Sequence, residues 1–161
     1  MKAYQFILVL LVSLIFQIAV LPNLVVLDAH YEILFAVTIF ISIKYGWYSG
    51  TVSGLWCGLL NDICTTGPFG FFVFLYSLSG FFAASFRKII FTQHIATKLL
   101  ILFIMSIAAS LVSIFFFKGF GWIVEIWSVY KLNILSIAAV NTLFSIPVYL
   151  FLDKLSYELQ E

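Results

Sequence analysis

The sequence predicts an all-α, polytopic membrane protein with about six transmembrane helices, built as one transmembrane domain over residues 1–161. Three observations predict it. First, hydrophobic residues make up 64% of the chain and charged residues 9%, with a mean hydropathy of +1.17. A soluble domain carries about 25% charged residues. Second, the charges are confined. Residues 3–27, 45–61, 63–86, 99–117 and 132–152 contain no Asp, Glu, Lys or Arg, and one crossing needs roughly 20 apolar residues. Third, glycines stand at 46, 50, 54 and 58, four apart, with Asp62 as the next step of the row. Residues four apart form one ridge of a helix, and a ridge without side chains lets another helix approach closely in lipid. A soluble helix seldom carries such a row, because each interior glycine costs about 1 kcal/mol relative to Ala.

The elements follow in order. Lys2 and the apolar run 3–21 resemble a signal sequence but lack a small-residue cleavage site, so they read as an uncleaved first helix ended by Pro22-Asn23. Residues 24–32 form the first outer loop, with Asp28, His30 and Glu32. Helix two runs from about Ile33 to Ile43; being short, it either begins earlier, near Val26, or stays partly in the interface. Lys44 follows, with Tyr45, Trp47 and Tyr48 as an interfacial aromatic belt. Helix three is the glycine ridge, ending near Asp62. Residues 63–70 cannot be regular helix throughout, because Gly67-Pro68 breaks it. Helix four covers Phe69 to Phe86 and is closed by Arg87 and Lys88; residues 89–97 are a polar turn with Gln93 and His94. Helix five spans Lys98 to Phe117. Residues 118–131 hold Trp122, Trp127 and Tyr130 among Lys118, Glu125 and Lys131, a pattern suited to a segment lying in the interface. Helix six runs from Leu132 to Leu152 and contains Asn141 and Pro147, the proline expected to bend it.

Six crossings with a cytoplasmic N-terminus put Lys2, Lys44, Arg87, Lys88, Lys98 and Lys154 inside and Lys118 and Lys131 outside. That is the direction of the positive-inside rule. Five crossings would place the tail outside and require one short helix to be re-entrant.

No catalytic constellation is visible. His30 and His94 fall on opposite sides of the membrane, no carboxylates are paired, and no P-loop, nucleophile elbow or HExxH occurs. The reading is therefore non-enzymatic, with no cofactor and no metal. The net charge of +1, without a basic block, gives no sign of nucleic-acid binding. Cys57 and Cys64, seven apart on a helix, are about 10 Å apart and cannot form a disulfide; both read as buried small residues.

The candidate helix-packing or partner-interface residues are Gly46, Gly50, Gly54, Gly58, Asp62, Gly67, Pro68, Gly70 and Asn141. A carboxylate near a span is expensive and usually functional. Asp62 either reaches headgroups as a structural cap, or bonds backbone N–H groups freed by the Gly67-Pro68 break and holds a turn on which a partner docks. The ridge either packs on a helix of the same chain or receives one from a partner. Asn141 can bond across helices, for roughly 0.6 to 2 kcal/mol.

The spacing Gly54-x3-Gly58-x3-Asp62, then Gly67 and Gly70, followed by Leu75-Tyr76-Ser77-Leu78 and Gly80, resembles the MreD family of bacterial rod-shape-determining proteins. The ending is similar too, with Asn141-Thr142-Leu143, Pro147-Val148-Tyr149 and Leu152-Asp153-Lys154-Leu155. Residues 22–45 and 89–131 match no motif of the family. The resemblance implies a non-enzymatic part of the cell-elongation machinery (elongasome), multi-pass in the bacterial inner membrane with both termini cytoplasmic. It implies binding to MreC, a single-span membrane protein. Through it the protein would couple to the peptidoglycan transglycosylase–transpeptidase pair and to the MreB filament. It also implies a fold similar to the substrate-binding subunits of energy-coupling-factor transporters. That similarity supplies the alternative, a small-molecule capture subunit of a transporter, with Asp28, Glu32, Asp62 and Trp122 as the thin set of outer polar candidates.

Overall fold

The structure is a computed structural model and describes residues 10–15, 17, 32–65, 68–86, 94–119 and 124–158. Among these residues all regular structure is helical. Residues 10–15 and 17 belong to α1; then come α2 (Ile33–Tyr45), α3 (Trp47–Cys64), α4 (Phe71–Phe86), α5 (Ile95–Gly119) and α6 (Val124–Glu158).

The arrangement is built around α2. Every residue from Ile33 to Ile43 is buried, and α2 lies against α3, α4, α5 and α6. A helix that is apolar on all sides belongs in an interior. Its 13 residues rise about 20 Å, short of the ~30 Å hydrocarbon core. The segment is thus not a lipid-facing span but the buried axis of the bundle. Val26, the alternative start of this helix, lies outside the described residues. Tyr149 of α6 donates a hydrogen bond to the Ala36 carbonyl at 3.2 Å, and its ring sits 5.2 Å from Phe40, so α6 is tied to the middle of α2.

Two described helices carry stretches long and apolar enough to cross a membrane, Ile95–Phe116 and Ile134–Lys154. They pair with each other on one side of α2, and α3 pairs with α4 on another. Large apolar side chains such as Trp56, Phe74, Leu111, Phe115, Leu143 and Phe151 are exposed, as expected where the surrounding medium is hydrocarbon.

Several boundaries differ from the sequence expectation. Gly46 does not begin the glycine helix: its φ of 97° makes it the joint between α2 and α3, a left-handed conformation that favours glycine. Helix four starts at Phe71, because Pro68–Gly70 form a turn. Helix five starts earlier, at Ile95. Of the segment 118–131, Lys118 and Gly119 complete α5 and residues 124–131 open α6, which therefore begins before Leu132; residues 120–123 lie outside the described residues. No Pro or Gly interrupts Val124–Lys131, so helix propagates through it. Helix six continues through Pro147. Cys57 is buried, but Cys64 is exposed, since it closes α3 beyond the α4 contact.

Candidate functional site

The ridge of α3 is filled by α4. A Cβ at Gly50 would stand 2.6 Å from the Ser42 side chain and 2.7 Å from the Gly80 carbonyl oxygen; at Gly54 it would stand 2.5 Å from the Tyr76 carbonyl oxygen. At Gly58 it would collide with the backbone of Phe72 and Val73, and at Gly80 with the backbone of Gly50. Steps of four up α3 therefore meet steps of four down α4: 50 against 80, 54 against 76, 58 against 72. The two helices touch backbone to backbone, which in lipid replaces the hydrophobic drive that water would supply. Ser42 of α2 adds a hydrogen bond from its hydroxyl to the Gly80 carbonyl.

The next step of the ridge is Asp62, and it meets the start of α4. Its carboxylate accepts from the backbone N–H groups of Gly70 (3.0 Å), Phe72 (3.1 Å) and Val73 (3.1 Å). The Phe71 N–H donates to the Pro68 carbonyl at 3.2 Å and the Phe74 N–H to the Gly70 carbonyl at 3.0 Å. Every N–H at the start of α4 is thereby satisfied. A helix leaves its first donors without intrahelical partners, and a bilayer offers no water for them. Gly70 holds a φ of 95° in this turn. Asp62 is a cap supplied by one helix to another, and its charge sits at the positive end of the α4 dipole.

A second feature runs across all six helices. The Gln17 amide of α1 donates to the Asn61 side-chain oxygen (2.9 Å), and the Asn61 amide donates to the Tyr76 hydroxyl (3.1 Å). Tyr76 in turn donates to a carboxylate oxygen of Glu32 (2.9 Å). The Glu32 N–H donates to the Asn141 side-chain oxygen of α6 (3.1 Å), and the Asn141 amide approaches Ser106 of α5 at a long 3.4 Å. Gln17 also accepts from the Leu34 N–H at 3.2 Å. The start of α2 is thus held by side chains of α1 and α6, as the start of α4 is held by α3. Both short helices begin inside the protein and borrow their caps from neighbours. Glu32 lies just outside α2, and burial pushes its carboxyl up to about 7, with the Tyr76 hydrogen bond working in the opposite direction.

The predicted residues therefore divide. Gly50, Gly54, Gly58 and Asp62 meet α4; Pro68 and Gly70 shape the turn that Asp62 holds; Gly46 is the α2–α3 joint. Asn141 belongs to the polar chain, and Gly67 lies outside the described residues. Sequence reasoning missed Gln17, Glu32 and Tyr76 as links of one hydrogen-bonded chain through Asn61. Their signal was polarity inside apolar runs: Gln17 stands in the charge-free run 3–27 and Tyr76 in 63–86.

The described interior polar groups of this all-helical membrane protein thus join helix to helix. Among the described residues no three His, Cys, Asp or Glu gather as metal ligands. The family model described as rod shape-determining protein MreD matches residues 2–155, and the chain belongs to that family of rod-shape-determining membrane proteins. No curated protein and no solved structure matches the chain. The likeness to the substrate-binding subunits of energy-coupling-factor transporters accordingly rests on the family resemblance alone.

Proposed function

We propose that this protein is a non-enzymatic, inner-membrane component of the bacterial cell-elongation complex that binds an MreC-type single-span membrane protein within the bilayer. Both termini lie in the cytoplasm. Through its partner it couples to the peptidoglycan transglycosylase–transpeptidase pair and to MreB, and so bears on cell shape and lateral-wall synthesis. The observation that carries the reading is the family match over residues 2–155. The geometry supports contact as the mode of action. Gly50, Gly54 and Gly58 are covered by α4 within the chain, so they serve a partner indirectly, by setting the shape of the α3–α4 hairpin.

The test is co-purification in mild detergent with a tagged MreC-type protein from the same organism. A stable complex with the wild-type chain is expected. A folded wild-type chain that stays alone beside a folded partner overturns the reading. Gly58→Leu, scored first for folding, then reports whether the hairpin is needed for the complex.

A further inference from the structure

The hydrogen bonds that hold the start of α2 to its neighbours run in one direction. The Leu34 N–H donates to the Gln17 side-chain oxygen, and the Gln17 amide donates to Asn61. Asn61 donates to the Tyr76 hydroxyl, and Tyr76 donates to the Glu32 carboxylate. The chain leaves α2 at Leu34, passes through α1, α3 and α4, and returns at Glu32, two residues before its origin. Each amide receives at its oxygen and gives at its nitrogen, so successive bonds polarise one another. Donors aligned toward a carboxylate favour its ionised form.

Glu32 stands apart from the other charges. Among the described residues no Lys or Arg pairs with it; the ion pairs join Lys44, Lys98 and Asp153 at the other end of α2. From α4 the titratable neighbour is Tyr76 itself. From α3, Asp62 turns to the start of α4, and Cys57 lies at Thr38, farther along α2. From α1, α5 and α6 come Gln17, Ser106 and Asn141, which do not titrate. Asp28 and His30 lie outside the described residues.

Protonation turns the last acceptor of the chain into a donor. When the new O–H bonds the Tyr76 oxygen, the Tyr76 hydroxyl must turn to Asn61, and the Asn61 and Gln17 amides must turn over in sequence. The reversed chain then sets the Gln17 NH2 against the Leu34 N–H, donor to donor. A side-chain amide can rotate, but a backbone N–H fixed in a helix cannot. The reversed chain cannot close, and the link that opens is the one between α1 and α2.

We propose that Glu32 and this chain form a proton-operated latch. Ionised Glu32 holds Gln17 on the Leu34 N–H; one proton taken from water at Glu32 is felt through Tyr76 and Asn61 as release of that bond. The release is local. Removing a buried charge stabilises the fold as a whole at the same time, so the two effects are read separately.

The test is amide hydrogen exchange in detergent, resolved by NMR and divided by the intrinsic rate at each pH. Readings are taken at about pH 5 and about pH 9, either side of the Glu32 carboxyl at about 7. In the wild type, protection of the Leu34 amide is expected to be roughly tenfold lower at the acid reading, the scale of one net hydrogen bond. Ile39 and Phe40, deeper in α2, should not lose protection. Glu32→Gln accepts from Tyr76 and takes up no proton, so its Leu34 protection should be the same at both readings. Tyr76→Phe cuts the relay and should also abolish the difference, although Glu32 still titrates. Equal Leu34 protection at the two readings in the wild type overturns the proposal, as does an equal fall at Ile39 and Phe40. A difference that survives in folded Tyr76→Phe overturns the relay.

Discussion

The α3–α4 seam and the polar chain through α2 hold helices together by opposite means. In the seam, side chains are removed so that backbones meet, and the tolerance for change is almost nil: any Cβ at Gly50, Gly54, Gly58 or Gly80 meets fixed atoms. In the polar chain, side chains reach between helices, and each link is one hydrogen bond long. Asp62 stands where the two meet, as the last step of the ridge and a neighbour of Asn61. The contrast teaches that a membrane bundle can be fixed either by shape or by polarity. A fault in shape propagates along a whole helix face, whereas a lost hydrogen bond costs one link.

Ways to break this comparison run from large to small. Gly58→Leu should have the largest effect, separating α3 from α4 along the entire seam. Expected is loss of a monodisperse protein in detergent, checked by size-exclusion chromatography; a Gly58→Leu chain with wild-type elution and melting would remove shape as the principle of the seam. Asp62→Ala comes next. It leaves the N–H groups of Gly70, Phe72 and Val73, at and just before the start of α4, without an acceptor, at about 1–3 kcal/mol for each. The α4 amides should lose protection in hydrogen exchange before those of α5, and uniform loss across both would place the role of Asp62 elsewhere.

Tyr76→Phe removes the hydroxyl that joins Asn61 to Glu32 while keeping the ring beside Phe35. The expected loss is about 1–2 kcal/mol, in the range of interhelical hydrogen bonds in bilayers, read as a modest fall in melting temperature. No fall at all would make the chain ornamental. The smallest effect sharpens the comparison through pH. The Glu32 carboxyl sits at about 7 in the folded protein, above its ordinary 4.5. The folded state therefore keeps a proton that the unfolded state loses, so this contribution is full below about 4.5 and is lost as pH rises through about 7. Melting temperature should decline across that window, and Glu32→Gln should flatten the decline. Variants of the seam glycines carry no charge and should leave the slope alone.

Much of this was legible beforehand. The charge-free runs marked the helices, because hydrocarbon excludes charge whatever the packing. The four-residue period marked the α3 ridge, because only close approach explains glycines at that spacing. The role of α2 was not legible. In water a buried helix is distinguished by having no polar face, but in lipid the outside is as apolar as the inside, so the run 33–43 looks the same in either place. The start of α6, at Val124 and not Leu132, was not legible for a related reason: aromatic and charged residues in 118–131 suit an interface whether or not the backbone is helical. Cys64 was misplaced because sequence spacing does not say where the α4 contact ends.

By itself the sequence determined the class of protein, the number and rough limits of the helices, and the closeness that Gly50, Gly54 and Gly58 permit. These follow from local composition and helix period, which need no partner to be read. Only the tertiary structure decided which helix fills the ridge, which N–H groups Asp62 receives, and that Gln17, Asn61, Tyr76, Glu32 and Asn141 form one chain. Each of those depends on two residues far apart in sequence meeting in space, and a hydrogen bond has no sequence signal until both of its ends have been placed.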